Sequence, residues 1–141
     1  YKNGAVGNYW CSQVAIGYDN ALTVRIFGTK GTIEWRQEDP NYLKVVKLGE
    51  PIQILSRGNP YFYPEAAQMS RIPSGHPEGF YEAFANTYRK FTNALLKLEQ
   101  GLELTEDDLD FPTVKAGLQG VKFVHKCVES SKKGSVWVKF D

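Results

Sequence analysis

The sequence predicts an α+β fold: an open-faced, mostly antiparallel sheet of five to six strands with two long helices packed on one face. Two observations carry this. Residues 8–57 hold short runs of alternating apolar and polar residues broken by Gly, Pro, Asn and Asp. Residues 77–131 instead hold two long stretches whose apolar side chains recur every three or four positions. Size adds a third argument, since 141 residues with 42% hydrophobic content suffice for one self-sufficient core and favour one domain over two.

The strands come first. Residues 8–16 are rich in aromatic and branched side chains and end at the turn cluster Gly17-Tyr18-Asp19-Asn20. Residues 21–27 alternate Leu22, Val24 and Ile26 with Thr23 and Arg25, and Gly28-Thr29-Lys30-Gly31 turns the chain back into residues 32–37. A symmetric closure of that turn sets Ile26 against Ile33 and Val24 against Trp35, with Arg25 opposite Glu34 on the other side. Residues 42–48 and 52–57 read as two further strands, and residues 135–140 as a last one that returns to the sheet. Between 58 and 75 no period is visible, and three prolines with Tyr61, Phe62 and Tyr63 suggest an ordered surface loop.

The first helix is expected to open at Gly75-His76-Pro77-Glu78-Gly79, with Pro77 as its first residue and His76 at the cap. Phe80, Phe84, Phe91, Leu95 and Leu98 form its stripe, and Gly101 stops it. An acidic connector follows, and Pro112-Thr113 opens a second helix reaching about Ser131. Gly117 and Gly120 inside that helix imply close packing, because each disfavours helix by about 1 kcal/mol against alanine. Two helices shield one face of a sheet. The bare face would carry Arg25, Glu34, Arg36, Trp137 and Lys139, aromatic and charged groups of the kind enriched where proteins meet.

Charge and composition exclude several classes. Seventeen basic against sixteen acidic side chains give a formal net charge of +1, no field to draw in nucleic acid or an anionic membrane. No apolar run is long enough to span a bilayer. Cys11 and Cys127 have no metal or redox spacing and read as buried free thiols, which fits a reducing, cytoplasmic setting. The run Glu106-Asp107-Asp108-Leu109-Asp110 lacks the spaced oxygens and glycine of a calcium loop, so no metal site is expected. His125 reads as a packed histidine at the core edge. The chain begins at Tyr1 and its only methionine is Met69, so a piece of a longer protein is expected.

In order along the chain, several segments carry a resemblance. They are Asn3-Gly4-Ala5-Val6-Gly7, Ser12-Gln13-Val14-Ala15, Gly28-Thr29-Lys30-Gly31, Glu34-Trp35-Arg36-Gln37-Glu38-Asp39-Pro40-Asn41, Gly75-His76-Pro77-Glu78-Gly79 and Glu82-Ala83-Phe84-Ala85-Asn86. Together with Phe111-Pro112-Thr113-Val114 and Val136-Trp137-Val138, this set resembles the C-terminal domain of the Gfo/Idh/MocA oxidoreductases, the family of glucose-fructose oxidoreductase and inositol dehydrogenase. The resemblance implies a parent enzyme of two domains that moves a hydride between a sugar or polyol and NAD or NADP. An N-terminal dinucleotide-binding domain would carry the Gly-rich loop and catalytic lysine. This chain has neither a GxGxxG fingerprint nor a Glu-Lys-Pro segment, so no catalytic residue is expected in it, nor a cofactor bound by it alone.

The resemblance places His76 near the substrate pocket, while helix capping explains the same residue equally well. Arg71 and Glu78 are nominated as substrate contacts by proximity to it. The same family likeness implies homo-oligomers, dimers or tetramers, joined through the open sheet face. Ala116 departs from the pattern, since many relatives carry an acidic residue there, and this blurs the subgroup and hence the sugar. Composition and periodicity alone fit a stand-alone, non-enzymatic α+β binding module as well.

Overall fold

The alternation over residues 22–47 becomes a meander. In the computed structural model, which describes residues 1–140, β1 (Thr23–Gly28), β2 (Gly31–Arg36), β3 (Tyr42–Lys47) and β4 (Gln53–Ser56) form one antiparallel sheet in the order β1-β2-β3-β4. The first hairpin has the register that its turn predicts, Val24 facing Trp35, Arg25 facing Glu34 and Ile26 facing Ile33. Glu34 then faces Lys44, Trp35 faces Leu43, and Leu43 faces Leu55. Side chains alternate across a strand, so one face collects Val24, Ile26, Ile33, Trp35, Leu43, Val45 and Leu55. The other collects Arg25, Glu34, Arg36 and Lys44 with Phe27, Val46 and Ile54. Gly31 is required by the second pairing, because a Cβ there would stand 2.4 Å from the Val46 carbonyl oxygen. Trp35 fixes the β2–β3 turn by donating from Nε1 to the Pro40 oxygen at 3.1 Å.

The sheet thus has four strands, not five or six. Residues 8–16 form no strand; Val14 N bonds Ser12 Oγ and Tyr18 N the Ala15 oxygen, with Tyr9 and Trp10 exposed. Residues 135–140 also stay outside the sheet. Ser130 Oγ bonds the Val136 oxygen at 2.6 Å and the Phe140 ring meets Phe123 edge-on, so that segment lies back along its own helix. In both stretches β-propensity was present and a pairing partner was not.

The chain divides into two units, Tyr1–Gly79 and the residues from Phe80 onward. In the first, the loop after β4 holds a single helical turn, α1 (Pro64–Ala67), with Pro64 at its start. Tyr61 ties the loop to the sheet: its hydroxyl accepts from Ser56 N and donates to Ser56 O, each at 2.8 Å.

In the second unit, α2 runs Phe80–Glu99 and α3 runs Val114–Lys132. Both end in the same way. Leu102 N reaches the Lys97 oxygen over Gly101 (φ +71°), and Ser135 N reaches the Ser130 oxygen over Gly134 (φ +85°), each a Schellman closure. Thr113 caps α3, its Oγ1 accepting from Ala116 N at 3.2 Å. The acidic connector forms a 3₁₀ turn, Asp107–Leu109, roped to α2 by Lys90–Asp107 at 2.8 Å and Lys97–Asp108 at 2.7 Å. Phe111 closes on Phe91, ring to ring.

Other expectations need correction. Helix α2 starts at Phe80 rather than Pro77, so His76 caps no helix. A Cβ on Gly117 or Gly120 would meet nothing within 4 Å, so these glycines mark no close approach of α3 to α2. Cys11, Cys127 and His125 are exposed rather than buried. Among the described residues, no helix is long and apolar enough to cross a membrane.

Candidate functional site

Why the helix begins late explains the site. Asn41 ends the β2–β3 turn and Arg57 follows β4, and the hairpin register sets them opposite each other, with Arg57 N donating to the Asn41 oxygen at 2.8 Å. From there the Arg57 guanidinium reaches into the loop that precedes α2. Its Nε donates to Asn41 Oδ1 at 3.0 Å. One terminal nitrogen serves the Ile72 oxygen at 3.0 Å and Glu78 Oε2 at 2.7 Å. The other serves the backbone oxygens of Pro73 and His76. A guanidinium has five N–H donors, and these acceptors number five.

Glu78 answers from the loop. Its Oε1 accepts from the amides of Arg71 at 2.6 Å and Ile72 at 2.9 Å, while its own amide donates to Asn41 Oδ1 at 3.0 Å. The Arg57 and Glu78 side chains are 15% and 5% exposed. Such a pair is tolerated because each charge is hydrogen-bonded as well as paired. Gly58, at φ +76°, brings its backbone against residues 72–74. Gly75 (φ +83°) makes the bend that presents His76, whose amide closes a turn onto the Pro73 oxygen at 3.3 Å.

Three nominated residues therefore share one loop. Glu78 is buried, with both oxygens engaged by the chain itself, whereas Arg71 and His76 are exposed. An exposed imidazole is free to donate from one nitrogen and accept at the other. Arg57 and Asn41 escaped the sequence reading, although extending the β3–β4 register by one pair would have set them face to face.

The nominated interface residues divide. Arg25, Glu34 and Arg36 share the charged sheet face, where Arg36 forks onto Glu34 Oε1 at 2.8 Å and 3.0 Å. That hydrogen bond, with the nearby cations Lys44 and Arg25, holds the Glu34 carboxyl below its ordinary range. A shallow depression of about 360 Å³ lies on this face among Glu34, Arg36, Asp39, Tyr42, Lys44 and Ile54. Trp137 and Lys139 are not in the sheet but follow α3, with Trp137 fully exposed.

The described residues thus form an antiparallel meander, a hydrogen-bonded Gly-His-Pro-Glu-Gly loop and two long helices, an α+β domain. Residues 1–140 match the family profile described as "Oxidoreductase family, C-terminal alpha/beta domain", and the chain belongs to the Gfo/Idh/MocA family. It is similar to the oxidoreductase YfiI of Bacillus subtilis (strain 168), 39% identical over 140 residues, covering 99% of this chain and 36% of that protein. Among solved structures, an oxidoreductase from Sinorhizobium meliloti is 45% identical with a TM-score of 0.82, over 92% of this chain and 35% of the other. An inositol dehydrogenase homolog from Azotobacter vinelandii, complexed with NADH and myo-inositol, is 36% identical with a TM-score of 0.80, over 92% and 34%. This chain spans about a third of the length of the relatives it matches.

Proposed function

We propose that this domain is the substrate-side and assembly half of an NAD- or NADP-dependent oxidoreductase acting on a sugar or polyol. The likeness to a protein complexed with NADH and myo-inositol supports the substrate class and the cofactor. The observation that carries the reading is the locked loop that presents His76. Vicinal hydroxyls need partners that both donate and accept, and an exposed imidazole on the loop that also carries the Arg71 guanidinium supplies that chemistry. Glu78 contributes by holding the loop. The unpaired cysteines Cys11 and Cys127 accord with a reducing, cytoplasmic setting.

The nicotinamide cofactor does not fit this chain's own residues. A dinucleotide is held at the Gly-rich turn of a parallel βαβ unit, and the described strands form an antiparallel meander with no such turn. An N-terminal dinucleotide-binding domain, as the family membership implies, is the proposed holder of the cofactor. The charged sheet face, with Arg25, Glu34 and Arg36 at its centre, serves assembly into dimers or tetramers.

The test is kinetic. In the full-length protein, reduction of NAD or NADP is followed across a panel of polyols and aldoses, and His76→Ala is compared with the parent. Loss of one hydroxyl contact is expected to raise the KM for the preferred polyol about tenfold. An unchanged KM overturns the role of His76, and absence of turnover with every polyol and sugar overturns the substrate class. Arg36→Glu sets two carboxylates side by side and is expected to dissociate the oligomer in light scattering; intact assembly counts against the interface.

A further inference from the structure

We infer that Arg57, with Glu78 and Asn41, is a positioning latch for the substrate-side loop, so that Arg57 governs affinity for the polyol without touching it. The inference rests on the reading of His76 as a substrate contact. Its evidence is the way the donors are distributed. Arg57 spreads its bonds over the Ile72, Pro73 and His76 carbonyls, the Glu78 carboxylate and the Asn41 amide oxygen, which fixes the backbone on both sides of Gly75. Glu78 takes up the amides of Arg71 and Ile72 and so fixes the near end of the same loop. Arg71 and His76 thus leave a backbone held at both ends, and the strands that hold it are distant in sequence. A planar five-donor fork can serve five acceptors at once, and an ammonium with three donors cannot.

The experiment uses the full-length enzyme and a polyol that it turns over. Arg57→Lys keeps the charge and one bond to Glu78 but abandons most of the carbonyls. Its polyol KM is expected to rise severalfold, up to about the tenfold rise of His76→Ala, with the cofactor KM unchanged and kcat at saturation within about twofold. Glu78→Gln can still accept from the Arg71 and Ile72 amides, so it should lie between Arg57→Lys and the parent. Amide hydrogen exchange supplies a readout independent of turnover. In Glu78→Gln and Arg57→Lys the amides of residues 71–78 should exchange faster while those of β1–β3 keep their protection.

A folded Arg57→Lys variant with the parent's polyol KM overturns the inference. So does a joint rise of polyol and cofactor KM, which would mean general loosening, or unchanged exchange across the loop. If the parent itself turns over no polyol, the functional reading fails and the positioning role falls with it, even where faster exchange shows that the latch holds the loop.

Discussion

Replacing Gly58 with alanine tests the packing of the loop directly, and Gly75→Ala provides the control. Both glycines are left-handed, at φ +76° and +83°. For an alanine that conformation costs about 1–2 kcal/mol, and restricting the unfolded chain returns about 0.4–1 kcal/mol. Gly75→Ala should therefore destabilise by roughly 1 kcal/mol, since its Cβ meets nothing within 4 Å. At Gly58 the same strain is joined by contact. The new Cβ would lie 3.0 Å from Ser74 N and 3.4 Å from both the Ile72 oxygen and the Pro73 carbonyl carbon. Those are backbone atoms, and Arg57 holds the Ile72 and Pro73 carbonyls by hydrogen bonds, so the loop has little room to retreat. Overpacking of this kind adds about 1–3 kcal/mol, which brings Gly58→Ala to about 2–4 kcal/mol. Urea denaturation of the full-length protein followed by tryptophan fluorescence, with midpoints compared at constant m, measures the difference. Equal losses for the two variants would refute the close approach of residues 72–74 to Gly58.

Three further outcomes are expected. Gly117→Ala and Gly120→Ala should each stabilise by up to about 1 kcal/mol in the same titration, because both sit inside α3 and an added methyl meets nothing; destabilisation would mean the glycines face something in the native protein. Hydrogen bonds from Lys97, then from the Thr105 amide and hydroxyl, hold the Asp108 carboxyl at about 2, down from an ordinary 3.8. A depressed carboxyl stabilises above its unfolded value, so this contribution is complete above pH 3.8 and is lost as pH falls toward about 2. Carbon-detected NMR titration should show Lys97→Met moving Asp108 back toward the ordinary value. Trp35→Phe deletes the donor to the Pro40 oxygen and should cost about 1 kcal/mol, read as a lower urea midpoint.

The sheet register was legible because it depends on neighbours. The Gly28-Thr29-Lys30-Gly31 turn fixes Arg25 against Glu34, and period-two alternation does the rest. The helix bodies were legible for the same reason, as were Thr113 at one start and Gly101 at one stop. The start of α2 was not. Pro77 supplied a local helix signal, but Glu78 gave its amide to Asn41 and its carboxylate to Arg57, partners thirty-seven and twenty-one positions away. Periodicity carries no information about such partners. Residues 8–16 failed differently: their composition suits a strand, and no neighbouring edge takes it up. His76, Arg71 and Glu78 lie on one loop, yet Glu78 faces inward and Arg57 had been passed over as a strand end.

Every strand in the sheet pairs with its immediate predecessor across a short connection, a topology of low contact order. The meander can consequently zip up early during folding, whereas the bonds joining Asn41 and Arg57 to Glu78 must bridge much longer stretches of chain. Bonds that close last are absent from the folding transition state; on that order of events, weakening them should hasten unfolding and leave the refolding rate nearly untouched.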